Sequence, residues 1–154
     1  MKKLPALLFS MLISFNSYSG WFDQTICFET DAQVIDGFIY IIDKAKPFSG
    51  KSLCKYENGQ NKSKGNVEDG LKKNIWTQWN ENGQILQETN YKENGLVIKT
   101  LYEYYSDDQL KAQIHLKDGK YDGKVTYWDE EGQIKTQREY KDGKEIGEDG
   151  SIIT

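Results

Sequence analysis

The sequence predicts an all-β repeat protein: a single-layer antiparallel meander of consecutive β-hairpins behind an N-terminal signal peptide. Three observations predict it. The tetrapeptide "ENGQ" occurs at 57–60 and 81–84, and "EEGQ" follows at 130–133. Aligned on that turn, four units place Gly59, Gly83, Asp108 and Gly132 at intervals of 24, 25 and 24 residues, and a fixed period in this range marks a repeat architecture. A second glycine closes each unit in "EDG" (Gly70), "ENG" (Gly95) and twice "KDG" (Gly119, Gly143), so every unit has a turn at each end of a strand pair.

The chain begins with a different text. Residues 1–19 carry Lys2 and Lys3, an apolar run from Leu4 to Phe15, and small residues at Ser17 and Ser19. That is the three-part pattern of a secretory signal, with cleavage after Ser19, and the run is too short to serve as a lasting bilayer span. The expected localisation is exported: periplasmic, cell-envelope or secreted. Without Lys2 and Lys3 the 20 basic residues fall to 18 against 24 acidic, a net charge near −6. That sign disfavours nucleic acid, whose phosphates need a basic face, and it disfavours anionic membrane surfaces.

Residues 20–49 are not a repeat unit. "VIDGFIYIID" is an apolar β-type run broken at Asp36-Gly37, which suggests a strand or hairpin capping the sheet. Cys27 in this segment and Cys54 in the first unit are the only cysteines. In an oxidising compartment an even pair reads as a disulfide, stapling the cap to the first repeat and adding roughly 3–4 kcal/mol; two buried free thiols are the alternative.

Residues 50–147 hold the four hairpins. Asn58-Gly59 and Asn82-Gly83 are dipeptides favoured in two-residue type I′ turns, while Asp107-Asp108 and Glu131-Gly132 predict looser turns. The extra residue of the second unit falls in "YKENG". Alternation assigns the faces: Trp76, Ile85 and Tyr91, with Leu101, Leu110 and Leu116, then Val125, Ile134 and Tyr140, form the candidate core face. The opposite face carries Trp79, Tyr104 and Trp128 at one equivalent position, with Lys55 in the first unit and Gln84, Gln109 and Gln133 nearby. These aromatics are the candidate binding residues, for stacking on a ligand or for cross-strand stiffening of the sheet. Residues 148–154 ("EDGSIIT") complete a partial unit.

The stretches "KPFSGKSLCKYENGQNKSKGNVEDG", "IWTQWNENGQILQETNYKENG" and "GKVTYWDEEGQIKTQREYKDGK" resemble the MORN-repeat variant of bacterial YwqK-family antitoxins, whose pattern runs roughly Tyr-x-Asp-Gly-Lys-x-x-Gly-x-Trp-x-x-Tyr-x-x-Asn-Gly-Gln. The resemblance spans about residues 37–147. It implies a curved single-layer sheet that binds other molecules and catalyses nothing; MORN repeats are linked to phospholipid membranes and protein scaffolding, and the antitoxin relationship implies a protein partner, a toxin. This chain departs from the pattern in having a signal peptide and in lacking Asn-Gly in its third unit.

Nothing else in the sequence argues for catalysis. His115 is the single histidine, on the Trp79 face by parity beside Gln113, and no Gly-x-Ser-x-Gly elbow or phosphate-cradling loop is present. The acids cluster at hairpin tips, where solvation accounts for them; a glycosidase-like pair needs one member in a desolvated pocket. Asp107-Asp108 lacks the ligand count of a Ca²⁺ site. The expectation is a binding protein with no cofactor and no metal, its partner most readily another protein. A homodimer is one way to cover the apolar face, and a carbohydrate or lipid headgroup is the alternative ligand.

Overall fold

A computed structural model describes residues 24–153 except Asp107; the signal-peptide reading of 1–19 and the Asp107 turn position lie outside the described residues. A two-residue strand β1 (Thr25–Ile26) leads into a single helical turn α1 (Phe28–Asp31) and a hairpin of β2 (Ala32–Ile35) and β3 (Phe38–Ile41). The repeats follow as β4 (Gly50–Lys55), β5 (Asn61–Glu68), β6 (Leu71–Trp79), β7 (Ile85–Tyr91), β8 (Val97–Tyr104), β9 (Leu110–Lys117), β10 (Lys120–Trp128), β11 (Ile134–Lys141) and β12 (Lys144–Ile146). Strands β4 to β12 pair antiparallel in chain order, and β1 joins β4 in parallel at one edge. The chain is therefore an antiparallel meander of successive hairpins, as its period predicts.

The two kinds of turn are exchanged relative to the sequence expectation. The Asn-Gly tips are not two-residue type I′ turns, because Asn58 and Asn82 keep ordinary backbone and only Gly59 (φ 85°) and Gly83 (φ 85°) are left-handed. Each tip is a three-residue loop, closed by a bond from Gly83 N to Asn80 O (3.0 Å) and from Asn80 N to Gln84 O (2.9 Å), the type I turn with a glycine bulge. Nor is the last tip looser: Gly132 N–Asp129 O is 3.1 Å and Asp129 N–Gln133 O is 2.9 Å. In the third tip Asp108 takes the left-handed position at φ 70°, which short polar side chains tolerate. The true type I′ turns are the return turns Asp69-Gly70, Asp118-Gly119 and Asp142-Gly143, where both central residues have positive φ. "YKENG" is instead a three-residue loop, with Lys92 N–Leu96 O at 2.9 Å, and its added residue makes the 25-residue interval.

The bulge also overturns part of the face assignment. Each bulge inserts an unpaired residue beside the tip, so Trp79 pairs with Ile85, Tyr104 with Leu110, and Trp128 with Ile134. Ile85, Leu110 and Ile134 therefore leave the predicted core face and join the aromatic face. Trp76, Tyr91, Leu101, Leu116, Val125 and Tyr140 remain on the first.

The core sits where the cap covers that first face. Ile26, Ile39, Phe48, Val67 and Trp76 are buried together, with Phe28, Ala32, Ile41 and Tyr91 around them. The cap is anchored through its backbone: Ile39 N bonds Gly70 O and Gly70 N bonds Phe48 O, each at 2.8 Å. At the far end the chain turns once more, with Gly147 N on Ser151 O at 2.8 Å and Ile152 bridged to Ile146.

Candidate binding face

The candidate site grows out of the register. Because each bulge falls at the same place in successive hairpins, aromatic and aliphatic residues alternate along six adjacent strands, β6 to β11: Trp79, Ile85, Tyr104, Leu110, Trp128 and Ile134. The three aromatic residues are half-buried and Ile134 is 59% exposed. Among the described residues no ring–ring contact links Trp79, Tyr104 and Trp128; the ring pairs are Phe28–Trp76 and Tyr121–Tyr140. Burial pushes the Tyr104 phenol above its ordinary pKa.

Two tyrosines fix this row from the neighbouring hairpin. Tyr56 donates its hydroxyl to the Trp79 carbonyl (2.7 Å), and Tyr105 donates to the Trp128 carbonyl (2.8 Å). Asn58 Nδ2 reaches the Glu81 carbonyl at 2.9 Å, and Gln84 Nε2 reaches Asp108 Oδ1 at 2.8 Å. Adjacent tips are thus laced together. The first residue of each tip (Tyr56, Asn80, Tyr105, Asp129) recurs with the 24, 25, 24 spacing; that was the signal for these positioning residues, and sequence parity alone passed over it. Asn80 and Asp129 serve their own tips, accepting the Gln84 and Gln133 amides at 3.0 and 2.7 Å.

Outside the row the tips are acidic. Glu57, Glu81, Glu130 and Glu131 are exposed, and none is within ion-pair distance of a base among the described residues. The nearby Lys111 is engaged, 3.9 Å from Glu103 and over the Tyr105 ring at 6.0 Å. His115 lies on the aromatic face, since it pairs with Thr100 two residues from the Tyr102–Gln113 pair. Its Nδ1 is 2.7 Å from the Lys124 carbonyl and so carries the proton. Among the described residues no group of three or more His, Cys, Asp or Glu is placed to hold a metal ion.

Cys27 and Cys54 are joined in a disulfide that crosses from the start of α1 to β4, with Cys54 2% exposed. Beside the cap lies a 470 Å³ concavity lined by Phe28, Val34, Ile39, Leu71, Lys72 and Tyr91. The Lys72 amine sits over Phe28 (4.6 Å) and Trp76 (4.3 Å), and burial lowers its pKa. On the uncapped part of the same sheet face, Leu101, Ile114, Leu116 and Tyr121 line a shallower one of 400 Å³. Neither concavity includes Trp79, Tyr104 or Trp128.

No curated protein and no solved structure matches the chain significantly. The sequence model of the MORN repeat variant family matches it twice, at residues 72–93 and 121–142, which are the second and fourth hairpins, β6–β7 and β10–β11.

Proposed function

We propose that this chain is an exported, non-catalytic binding module whose Trp79–Tyr104–Trp128 row holds another protein. The observation that carries the reading is the repeated register: three aromatic residues alternate with aliphatic ones across six strands, half-exposed and without ring–ring packing. The Trp79–Ile85 and Trp128–Ile134 pairs stiffen the sheet as aromatic–β-branched pairs do, and the half-exposed rings still keep area for a partner. Repeat hairpins matching the MORN variant support a binding module in general, and the Cys27–Cys54 disulfide is consistent with an oxidising, exported environment. The non-catalytic reading is supported by the hydrogen-bonded His115 and by acids that stand exposed at tips rather than in a desolvated pocket.

The test is affinity capture from native envelope extract with the mature chain, residues 20–154, beside a Trp79→Ala/Tyr104→Ala/Trp128→Ala variant. Loss of one captured protein in the variant, repeated with that protein purified, supports the face as its site; identical captures refute it. The antitoxin-like reading is the finer form of this proposal. It requires that the captured protein arrest growth when expressed alone and that this chain relieve the arrest.

A further inference from the structure

The geometry of the row points to the kind of partner it takes. We propose that the row binds a cationic segment in the polyproline II conformation, lying across the strands, with every third residue on an aromatic ring. This rests on the reading of the row as a protein-binding site.

The first argument is commensurability. Trp79, Tyr104 and Trp128 stand on β6, β8 and β10, each two strands from the next. Neighbouring strands lie about 4.8 Å apart, so the aromatic positions are about 9.6 Å apart across the strands and, with a stagger of about one residue along them, repeat at about 10 Å. Polyproline II rises about 3.1 Å per residue with three residues per turn, and one of its edges therefore repeats at about 9.3 Å. Residues i, i+3 and i+6 of such a segment meet the three rings in succession. An α-helix repeats at about 5.4 Å per turn and a β-strand presents one face at about 6.6 Å; neither keeps step with this row.

The second argument is chemical. Proline-rich segments dock on aromatic side chains, because the segment is pre-extended and loses little entropy. Here the aliphatic spacers Ile85, Leu110 and Ile134 fall between the rings. The third is charge complementarity. Trp79 is two residues from Glu81, and Trp128 is two residues from Glu130. Glu81, Glu130 and Glu131 stand exposed with no ion-pair partner among the described residues, and Lys111, beside Leu110 of the row, is already shared between Glu103 and the Tyr105 ring. A chain with lysine or arginine beside each ring-contacting residue supplies the missing countercharge and adds cation–π contact with the indoles.

The experiment is calorimetric titration of the mature chain with four probes: a peptide of about twelve residues built from Lys-Pro-Pro repeats, its Glu-Pro-Pro counterpart, a Lys-Gly-Ser repeat of equal charge, and a neutral oligosaccharide. The Lys-Pro-Pro peptide is expected to bind saturably and at least about tenfold more tightly than the others. Trp128→Ala should weaken it about tenfold, and Glu81→Gln/Glu130→Gln/Glu131→Gln about threefold or more, with the difference shrinking at high salt. The glutamine variant changes only exposed side chains and keeps the fold, as circular dichroism would verify, so a loss there is a loss of charge. No saturable binding of Lys-Pro-Pro, equal binding of Lys-Gly-Ser, preference for the oligosaccharide, or indifference to Trp128→Ala would each overturn the proposal. Failure here while the aromatic triple variant still loses its captured protein refutes the partner class alone; an unchanged capture refutes the underlying site.

Discussion

The indole of Trp76 lies directly over Gly65 on the neighbouring strand, and its Nε1–H donates to the Asn66 carbonyl at 3.0 Å. Here β6 carries extra residues against β5, since Lys64 pairs with Thr77 while Asn66 pairs with Lys73. A Cβ on Gly65 would run into the ring itself. Trp76 is 4% exposed under the cap, so the ring has nowhere to retreat. Gly65→Ala is therefore expected to destabilise the fold by about 1–3 kcal/mol through overpacking, read as a lower midpoint in urea with an unchanged slope. A midpoint equal to the wild type would mean that the ring does not depend on the missing side chain.

The assignment of turn types makes a sharper comparison. If the tips were two-residue type I′ turns, Asn82 would need positive φ and Asn82→Ala would cost clearly more than an ordinary surface substitution. In the observed three-residue loop only Gly83, at φ 85°, is left-handed. Gly83→Ala should then cost about 1–2 kcal/mol, whereas Asn82→Ala stays within about 0.5 kcal/mol. Asp142, at φ 49° in a true type I′ turn, should respond to alanine in the same direction but by less than Gly83, because aspartate already carries a Cβ. Thermal unfolding of the three variants separates the two geometries; a large effect of Asn82→Ala would reject the one described here.

The periodicity made the hairpins and tip positions legible, because glycine and aspartate recur wherever the chain reverses. It did not reveal loop length. Asn-Gly suits both a two-residue turn and a three-residue turn with a bulge, and the choice rests on which strand residues pair. Hydrophobic alternation does not decide that when apolar residues flank the tip on both sides, as Trp79 and Ile85 do. The one-residue offset moved Ile85, Leu110 and Ile134 to the other face and turned an aromatic row into an aromatic–aliphatic one. The tyrosine bonds from Tyr56 and Tyr105 were hidden for another reason: they join residues 23 apart, and only the paired strands bring them together.

The disulfide should carry much of the cap's stability. Cys27 and Cys54 are separated by 27 residues, and constraining a loop of that length in the unfolded chain is worth about 3.5 kcal/mol in the chain-entropy treatment. The cap's other ties are the parallel β1–β4 pairing, the Phe28 amide on Ser52 Oγ at 3.1 Å, the Gly70 bonds, the Glu29–Lys62 ion pair and the apolar cluster. Cys27→Ala/Cys54→Ala should lower the thermal midpoint by about ten degrees, at roughly 3 to 4 degrees per kcal/mol for a domain of this size. Dithiothreitol should bring the wild type to the same midpoint and leave the variant unmoved. A shift of only a degree or two would show that the cap holds by packing alone.

Acid sensitivity should centre on Asp122. Its carboxylate takes a hydrogen bond from Lys141, with Nζ–Oδ2 at 3.1 Å, and from the Asp142 amide at 3.3 Å. The Lys141 bond, against an opposing effect of burial and with further help from that amide and the fields of Lys141 and Lys117, holds its pKa below the ordinary carboxylate value. Asp31 and Asp149 are lowered as well, chiefly by the Cys27 amide and by Ser151 respectively. A carboxylate with a depressed folded pKa stabilises the fold fully above its unfolded pKa, about 3.9, and that contribution disappears as pH falls through the folded value. The urea midpoint should therefore hold steady above about pH 5 and decline below about pH 4. Asp122→Asn should start lower at neutral pH and decline less steeply on the acid side, the two curves converging as the wild-type carboxylate protonates. Parallel curves from neutral to acid pH would mean that the Asp122–Lys141 bond contributes nothing that titration can remove.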